Sequence, residues 1–205
     1  MSPPLPALFI ADAPGLDFLN SIATPLDVPV DWLDDGAGLL AWLAQAQLLP
    51  PGALEQMRER ALPGELDKVA AQARNLREWF RDFVRERLGK PLTASDQSAL
   101  DPLNLLLARD ERYERVEFDA DAGQPALQSL RRWRSPESLL QPLGEALARL
   151  VTEEDFRHVK ACEGPTCTLL FADHTRGHSR RWCSMEVCGN RAKQAAHRNR
   201  LREQH

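Results

Sequence analysis

The residues of this chain best suited to chemistry are four cysteines near its C-terminal end. Cys162 and Cys167 have four residues between them, as do Cys183 and Cys188, and fifteen residues separate the pairs. Two close pairs at that separation form a standard layout for one tetrahedral zinc ion held by four thiolates. Each pair brackets a tight turn that aims two sulfurs at one point. The intervening segment folds back so that the pairs meet. Glu163-Gly164-Pro165-Thr166 supplies turn residues for the first bracket. A catalytic zinc keeps one position for water, so four cysteines indicate a structural ion.

Two other uses of the thiols remain open. A redox-labile site is one, since Arg180, Arg181 and Arg191 lie close in sequence and cations favour thiolate. Two disulfides are the other, and the N-terminal sequence disfavours them. Met1-Ser2-Pro3-Pro4-Leu5 has neither the basic region nor the continuous apolar run of a secretory signal. The expectation is therefore a cytoplasmic protein in a reducing compartment. His174 and His178 lie between the pairs and read as loop or phosphate-facing residues. Gly189 reads as leaving room near the metal, and Trp182 and Phe171 as the small core of the finger.

The rest of the chain offers little chemistry. Residues 1–156 contain no histidine or cysteine, no phosphate-cradling glycine loop and no G-x-S-x-G elbow. No carboxylate pair stands out as acid and base, so no catalytic residue is assigned and the chain does not read as an enzyme.

The elements that must carry the cysteines follow from periodicity. Gly15 to Ser21 reads as a short helix after Pro14. Asp34 or Asp35 caps a helix ended by Pro50-Pro51, and Pro51 opens another through Leu54 and Met57. The strongest pattern is 64–88, where Leu66, Val69, Ala73, Leu76, Phe80 and Phe83 form one apolar stripe. Arg74, Arg77, Arg81 and Arg85 read as its solvated charged face. A helix follows near Pro102. Residues 112–119 alternate as a strand, with a return strand over 126–133. Ser135 caps a last body helix, expected to kink at Pro142. Beyond it, 157–161 and 168–172 form a hairpin knuckle, and a helix over 184–202 starts at the second cysteine pair. The fold expected is mainly α with a small β-hairpin. It divides into a helical N-terminal domain, residues 1–156, and a treble-clef-like zinc finger, residues 157–205.

Composition supports a globular chain. Of its 205 residues 43% are hydrophobic and 27% charged, which excludes the disordered and fibrous classes. No apolar run approaches the ~20 residues of a membrane span. The net charge of −4 is an average over unlike parts. Residues 1–156 hold 16 basic and 26 acidic side chains, whereas 157–205 hold 10 and 4. Such asymmetry points to a nucleic-acid-binding or membrane-binding module.

Residues 162–200 resemble the bacterial CGNR zinc-finger family. The resemblance rests on Arg180-Arg181-Trp182-Cys183-Ser184-Met185-Glu186-Val187-Cys188-Gly189-Asn190-Arg191-Ala192-Lys193, preceded by Leu170-Phe171-Ala172-Asp173. The upstream part is similar to the ABATE-type domain through Leu16-Asp17-Phe18-Leu19-Asn20-Ser21, Trp42-Leu43, Leu76-Arg77 and Leu103-Asn104. That family is described as stress-induced transcription regulators whose finger is thought to bind DNA. Thr175 and Ser21 depart from its pattern without touching a ligand.

The resemblance implies one structural Zn2+ on Cys162, Cys167, Cys183 and Cys188, and DNA as partner. The residue types suited to DNA contact are Arg176, Arg180, Arg181, Asn190, Arg191, Lys193, Gln194, His197, Arg198 and Arg200, since arginine matches guanine and phosphate and Asn or Gln matches adenine. The body is then left to sense a small-molecule effector or to form a homodimer. The alternatives are a finger that docks a protein of the transcription or stress machinery, and a thiol or zinc redox sensor.

Overall fold

A computed structural model describes residues 6–24 and 28–194. Its centre is the long helix that the stripe predicts. We number the helices α1 (Pro14–Leu19), α2 (Gly36–Ala46), α3 (Ala53–Arg60), α4 (Glu65–Arg87), α5 (Asp101–Leu107) and α6 (Leu140–Glu153). The described strands form three antiparallel pairs: β1 (Ile22–Ala23) with β2 (Val30–Asp31), β3 (Arg112–Asp119) with β4 (Gln124–Arg131), and β5 (Val159–Ala161) with β6 (Leu170–Ala172). Helix α4 packs against α1, α2 and α6, and α1 lies along α6.

Local chemistry sets most boundaries. The Asp35 carboxylate accepts from Gly38 N at 2.7 Å and caps α2. Pro51 does not open α3. Pro50 to Ala53 form a type II turn, with Pro51 second and Gly52 third at φ +80°, and α3 starts after it. Pro142 bends nothing, because it falls in the first turn of α6, where an N–H has no partner within the helix. The return strand β4 starts two residues earlier than its pattern predicts, with Arg112 opposite Arg131 and Asp119 opposite Gln124. Asp119 closes the tip by accepting from Asp121 N and Ala122 N.

One expectation fails in an informative way. Arg77 and Arg81 are buried in the core, not solvated. Arg77 stands four residues after Ala73 and three before Phe80, which is a position on the apolar stripe itself. Its guanidinium makes a paired contact with Asp31 at 2.7 and 2.8 Å and donates to Ser21 Oγ at 3.0 Å. Arg81 donates to the carbonyls of Leu19 and Ile22. The two arginines thus tie α4 to the end of α1 and to the β1–β2 pair.

Partial burial alone would raise the Asp31 carboxyl, but the hydrogen bonds and charge of Arg77 overcome it and hold it below the usual carboxylate range. A depressed folded-state value means stability present at neutral pH and lost as pH falls below about 4. Arg77→Ala leaves that carboxylate without its cation, so the expected loss is about 3–5 kcal/mol in urea unfolding at pH 7. The difference between the wild type and Asp31→Asn should shrink as pH falls below about 4.

Candidate metal centre

The C-terminal module is built on β5 and β6, paired from Val159 opposite Ala172 to Ala161 opposite Leu170. Both strands are shorter than their pattern predicts. The chain leaves β5 at Cys162, turns through Gly164-Pro165-Thr166 to Cys167, and enters β6. Cys162 N donates to Leu169 O and Cys167 N to Gly164 O, which closes the first knuckle. Gly164 leaves room for the cluster, since a Cβ there would stand 3.0 Å from Cys167 Cβ and 3.2 Å from Cys188 Sγ and would crowd both. Gly189 does not play that part: a Cβ there would meet the Met185 side chain instead.

The second pair departs from an α-helical start. Met185–Gly189 is a π turn, with Gly189 N bonded to Ser184 O at 3.0 Å, and α-helix resumes over 190–194. Cys183 and Cys188 are five residues apart. An α-helix of 3.6 residues per turn sets such residues on different sides, whereas the i→i+5 turn brings them towards one line. Ser184 caps the turn by accepting from Glu186 N.

The four sulfurs lie within 4.8 Å of one another. Cys167 Sγ to Cys183 Sγ is 3.8 Å, and Cys183 Sγ to Cys188 Sγ is 3.7 Å. A tetrahedron with Zn–S bonds of about 2.3 Å separates its sulfurs by about 3.8 Å. The cluster therefore fits one zinc ion held by Cys162, Cys167, Cys183 and Cys188, and Cys183 N donates to Cys162 Sγ at 3.3 Å.

Electrostatics makes the same demand. The hydrogen bond from Cys183 favours a thiolate at Cys167, whose thiol is lowered to about 5. That bond and burial push Cys183 up in turn. Burial, then the Cys167 charge, pushes Cys188 up to about 12. The Cys167 thiolate thus suppresses ionisation at Cys183 and Cys188 until a cation joins them.

The loop between the pairs is fastened from inside. Asp173 is fully buried and accepts from Lys160 Nζ at 2.7 Å, Arg180 N at 2.9 Å, Thr175 N at 3.1 Å and Thr175 Oγ1 at 2.6 Å. Burial works against the carboxylate, but these donors hold it well below the usual range. His178 stacks on His158 at 3.5 Å and contacts Asp173 O through Nδ1. His174 pairs with Glu154 at 2.7 Å. Both histidines lie in the loop, as the sequence indicates, with partners inside the protein. Phe171 is buried and Trp182 is packed at the edge of the core.

The ten residues of the DNA set are not alike. Arg180 has no spare donor face. It donates to Trp182 O and Ile10 O, pairs with Asp12, contacts Cys183 O and lies 4.4 Å above the Phe171 ring. Arg181 pairs with Glu163 and lies 5.0 Å above Trp182. Arg176, Arg191 and Lys193 are exposed and make no ion pair among the described residues. Asn190 and Gln194 are exposed, and Asn190 donates to Glu186 O within its helix. His197, Arg198 and Arg200 lie outside the described residues.

Sequence reasoning missed the joint with the body. Asn20 is buried and clasps Leu170 like a neighbouring strand, donating to its carbonyl at 2.8 Å and accepting from its N–H at 3.0 Å. Ala172 N donates to Ala11 O, and Thr24 Oγ1 to Thr166 O. The signal was Asn20 itself, an amide directly after the apolar residues Phe18 and Leu19 that end the helix.

Zinc competes with protons for the thiolates, so its affinity must fall as pH falls. A chromophoric chelator titrated between pH 8 and 5.5 should extract one zinc per chain with increasing ease. Cys162→Ser should release the metal at higher pH than the wild type does.

Comparison with known proteins follows this geometry. The CGNR zinc finger profile matches residues 158–201. The ABATE profile, described as a putative stress-induced transcription regulator, matches residues 12–154. A search of curated proteins gives no match. The chain belongs to the ABATE family and carries a CGNR zinc finger behind that domain.

Proposed function

We propose that this chain is a zinc-dependent, DNA-binding transcription regulator acting in the cytoplasm. The finger, residues 157–205, contacts DNA, and the body, residues 1–156, senses an effector or forms a homodimer. The observation that carries the reading is the division among the finger's cations. Arg180 and Lys160 are spent on the fold, whereas Arg176, Arg191 and Lys193 are exposed and unpaired among the described residues. Cations held outward without carboxylate partners suit phosphate. Asn190 and Gln194 stand on the same helical segment and suit base edges. His197, Arg198 and Arg200 extend the set by sequence. Arg181 contributes only by leaving Glu163, and Arg180 is withdrawn from the set. Neither matched family is described as an enzyme.

A second reading, protein docking, is favoured by one feature. Val116, Phe118 and Leu127 on the β3–β4 hairpin are each about two-thirds exposed, and their register places them on one face. Exposed apolar patches of this kind mark interaction surfaces.

Fluorescence anisotropy on a mixed-sequence duplex tests the main reading with zinc-loaded, full-length protein. Affinity should fall steeply with salt. Arg191→Ala with Lys193→Ala should reduce the slope of log K against log salt by about 2. Arg180→Ala should instead lower the melting temperature and leave the slope nearly unchanged. Absence of binding at low salt removes the reading.

A further inference from the structure

A cavity of about 430 Å3 opens where the N-terminal segment, the first cysteine turn and the C-terminal helix meet. Its apolar wall includes Leu8, Ile10, Ala23, Leu169, Val187 and Ala192. Pockets of about 300–1,000 Å3 with such walls hold small molecules.

Two parts of the lining carry charge of opposite sign. Cys167, Cys183 and Cys188 are among the lining residues, and with zinc bound their four-thiolate centre would have a net double negative charge. Arg191 also lines the cavity and makes no ion pair among the described residues. Among the described residues, no aspartate, glutamate or lysine lines the cavity. An anion drawn to Arg191 meets the negative charge of the thiolates, and a cation drawn to the thiolates meets Arg191, so neither sign of net charge is favoured throughout the cavity. A neutral molecule with an apolar body and one acceptor turned towards Arg191 satisfies both.

We propose that this cavity binds an uncharged, mainly apolar small molecule with a hydrogen-bond acceptor, such as a carbonyl, at the Arg191 end. The occupant bridges Leu8 and Ile10 of the body to Ala192 of the C-terminal helix. It also engages Arg191, a cation assigned above to DNA. That consequence rests on the DNA-binding reading, whereas the binding itself does not.

The test uses zinc-loaded, full-length protein without nucleic acid and the neutral dye N-phenyl-1-naphthylamine. Dye fluorescence should rise and saturate at one dye per chain. The neutral ketone 1-acetonaphthone should displace it about tenfold more effectively than 1-naphthoate or 1-naphthylmethylammonium. Ala192→Trp fills the cavity and should abolish binding. Ile10→Trp decides the matter if Ala192→Trp fails to retain zinc. Arg191→Leu should weaken the ketone about tenfold and leave the dye unchanged. Phe118→Ser, on the distant hairpin, should change neither. Four results overturn the proposal: no saturation below about 1 mM, displacement best by a charged analogue, binding that survives both tryptophan variants, or loss of binding in Phe118→Ser.

Discussion

Four thiols gathered within 4.8 Å cannot all ionise without a cation between them. Much of the C-terminal module is arranged to bring these groups together. The hairpin of β5 and β6 presents one pair. The π turn presents the other, because residues five apart need that wider turn to converge. Gly164 leaves the space that a Cβ would take from Cys188. Bringing four thiolates together opposes the packing of the turns that carry them, so metal binding stabilises their folded arrangement.

The module is nevertheless not self-contained in its packing. Phe156, Val159, Leu169, Leu170 and Phe171 belong to the same apolar cluster as α1, α4 and α6. Asn20 and Ala11 supply backbone partners to β6 from one side, and Arg180 reaches Ile10 and Asp12 across the same junction. Arg77 and Arg81 fasten the end of α1 and the β1–β2 pair, next to Asn20. A chain of buried polar contacts therefore runs from α4, through α1, to the metal hairpin. Each link is expensive to break on one side, since the partner remains buried.

The metal site was legible because metal ligands obey spacing, and the long helix because burial has a period. The groups that escaped notice were polar groups doing the work of apolar ones. Arg77 sits on the stripe of α4, but its type argues for solvent, and its partners Asp31 and Ser21, 46 and 56 positions away, are what allow its burial. Asn20 escapes notice for the same reason, with its partner Leu170 150 positions away. The π turn was hidden because a helix cap at Ser184 looks alike before an α or a π start. Pro51 falls two residues before α3, and Pro142 falls in the first turn of an α-helix that starts four residues later than the Ser135 cap predicts, which converts a helix opener into a turn and a kink into an unremarkable first turn.

Charge illustrates the difference between counting and placing. The finger's 10 basic residues against 4 acidic ones suggest a uniform basic surface. Placement divides them. Lys160 is held by Asp173, Arg181 by Glu163, Arg180 by Asp12 of the body and Arg157 by Asp155 of the body, so carboxylates outside the finger neutralise two of its cations. Some of the body's arginines are also occupied, with Arg131 on Asp110 and Glu145 and Arg134 on Glu111. The body's acidity is thus partly consumed internally and has less to offer the finger than its count implies. What remains outward among the described residues is Arg176 on the loop and Arg191 and Lys193 beyond the π turn. These are the places where the fold gives a cation no carboxylate, and a polyanion would find them by that asymmetry, whatever the net charge of the chain.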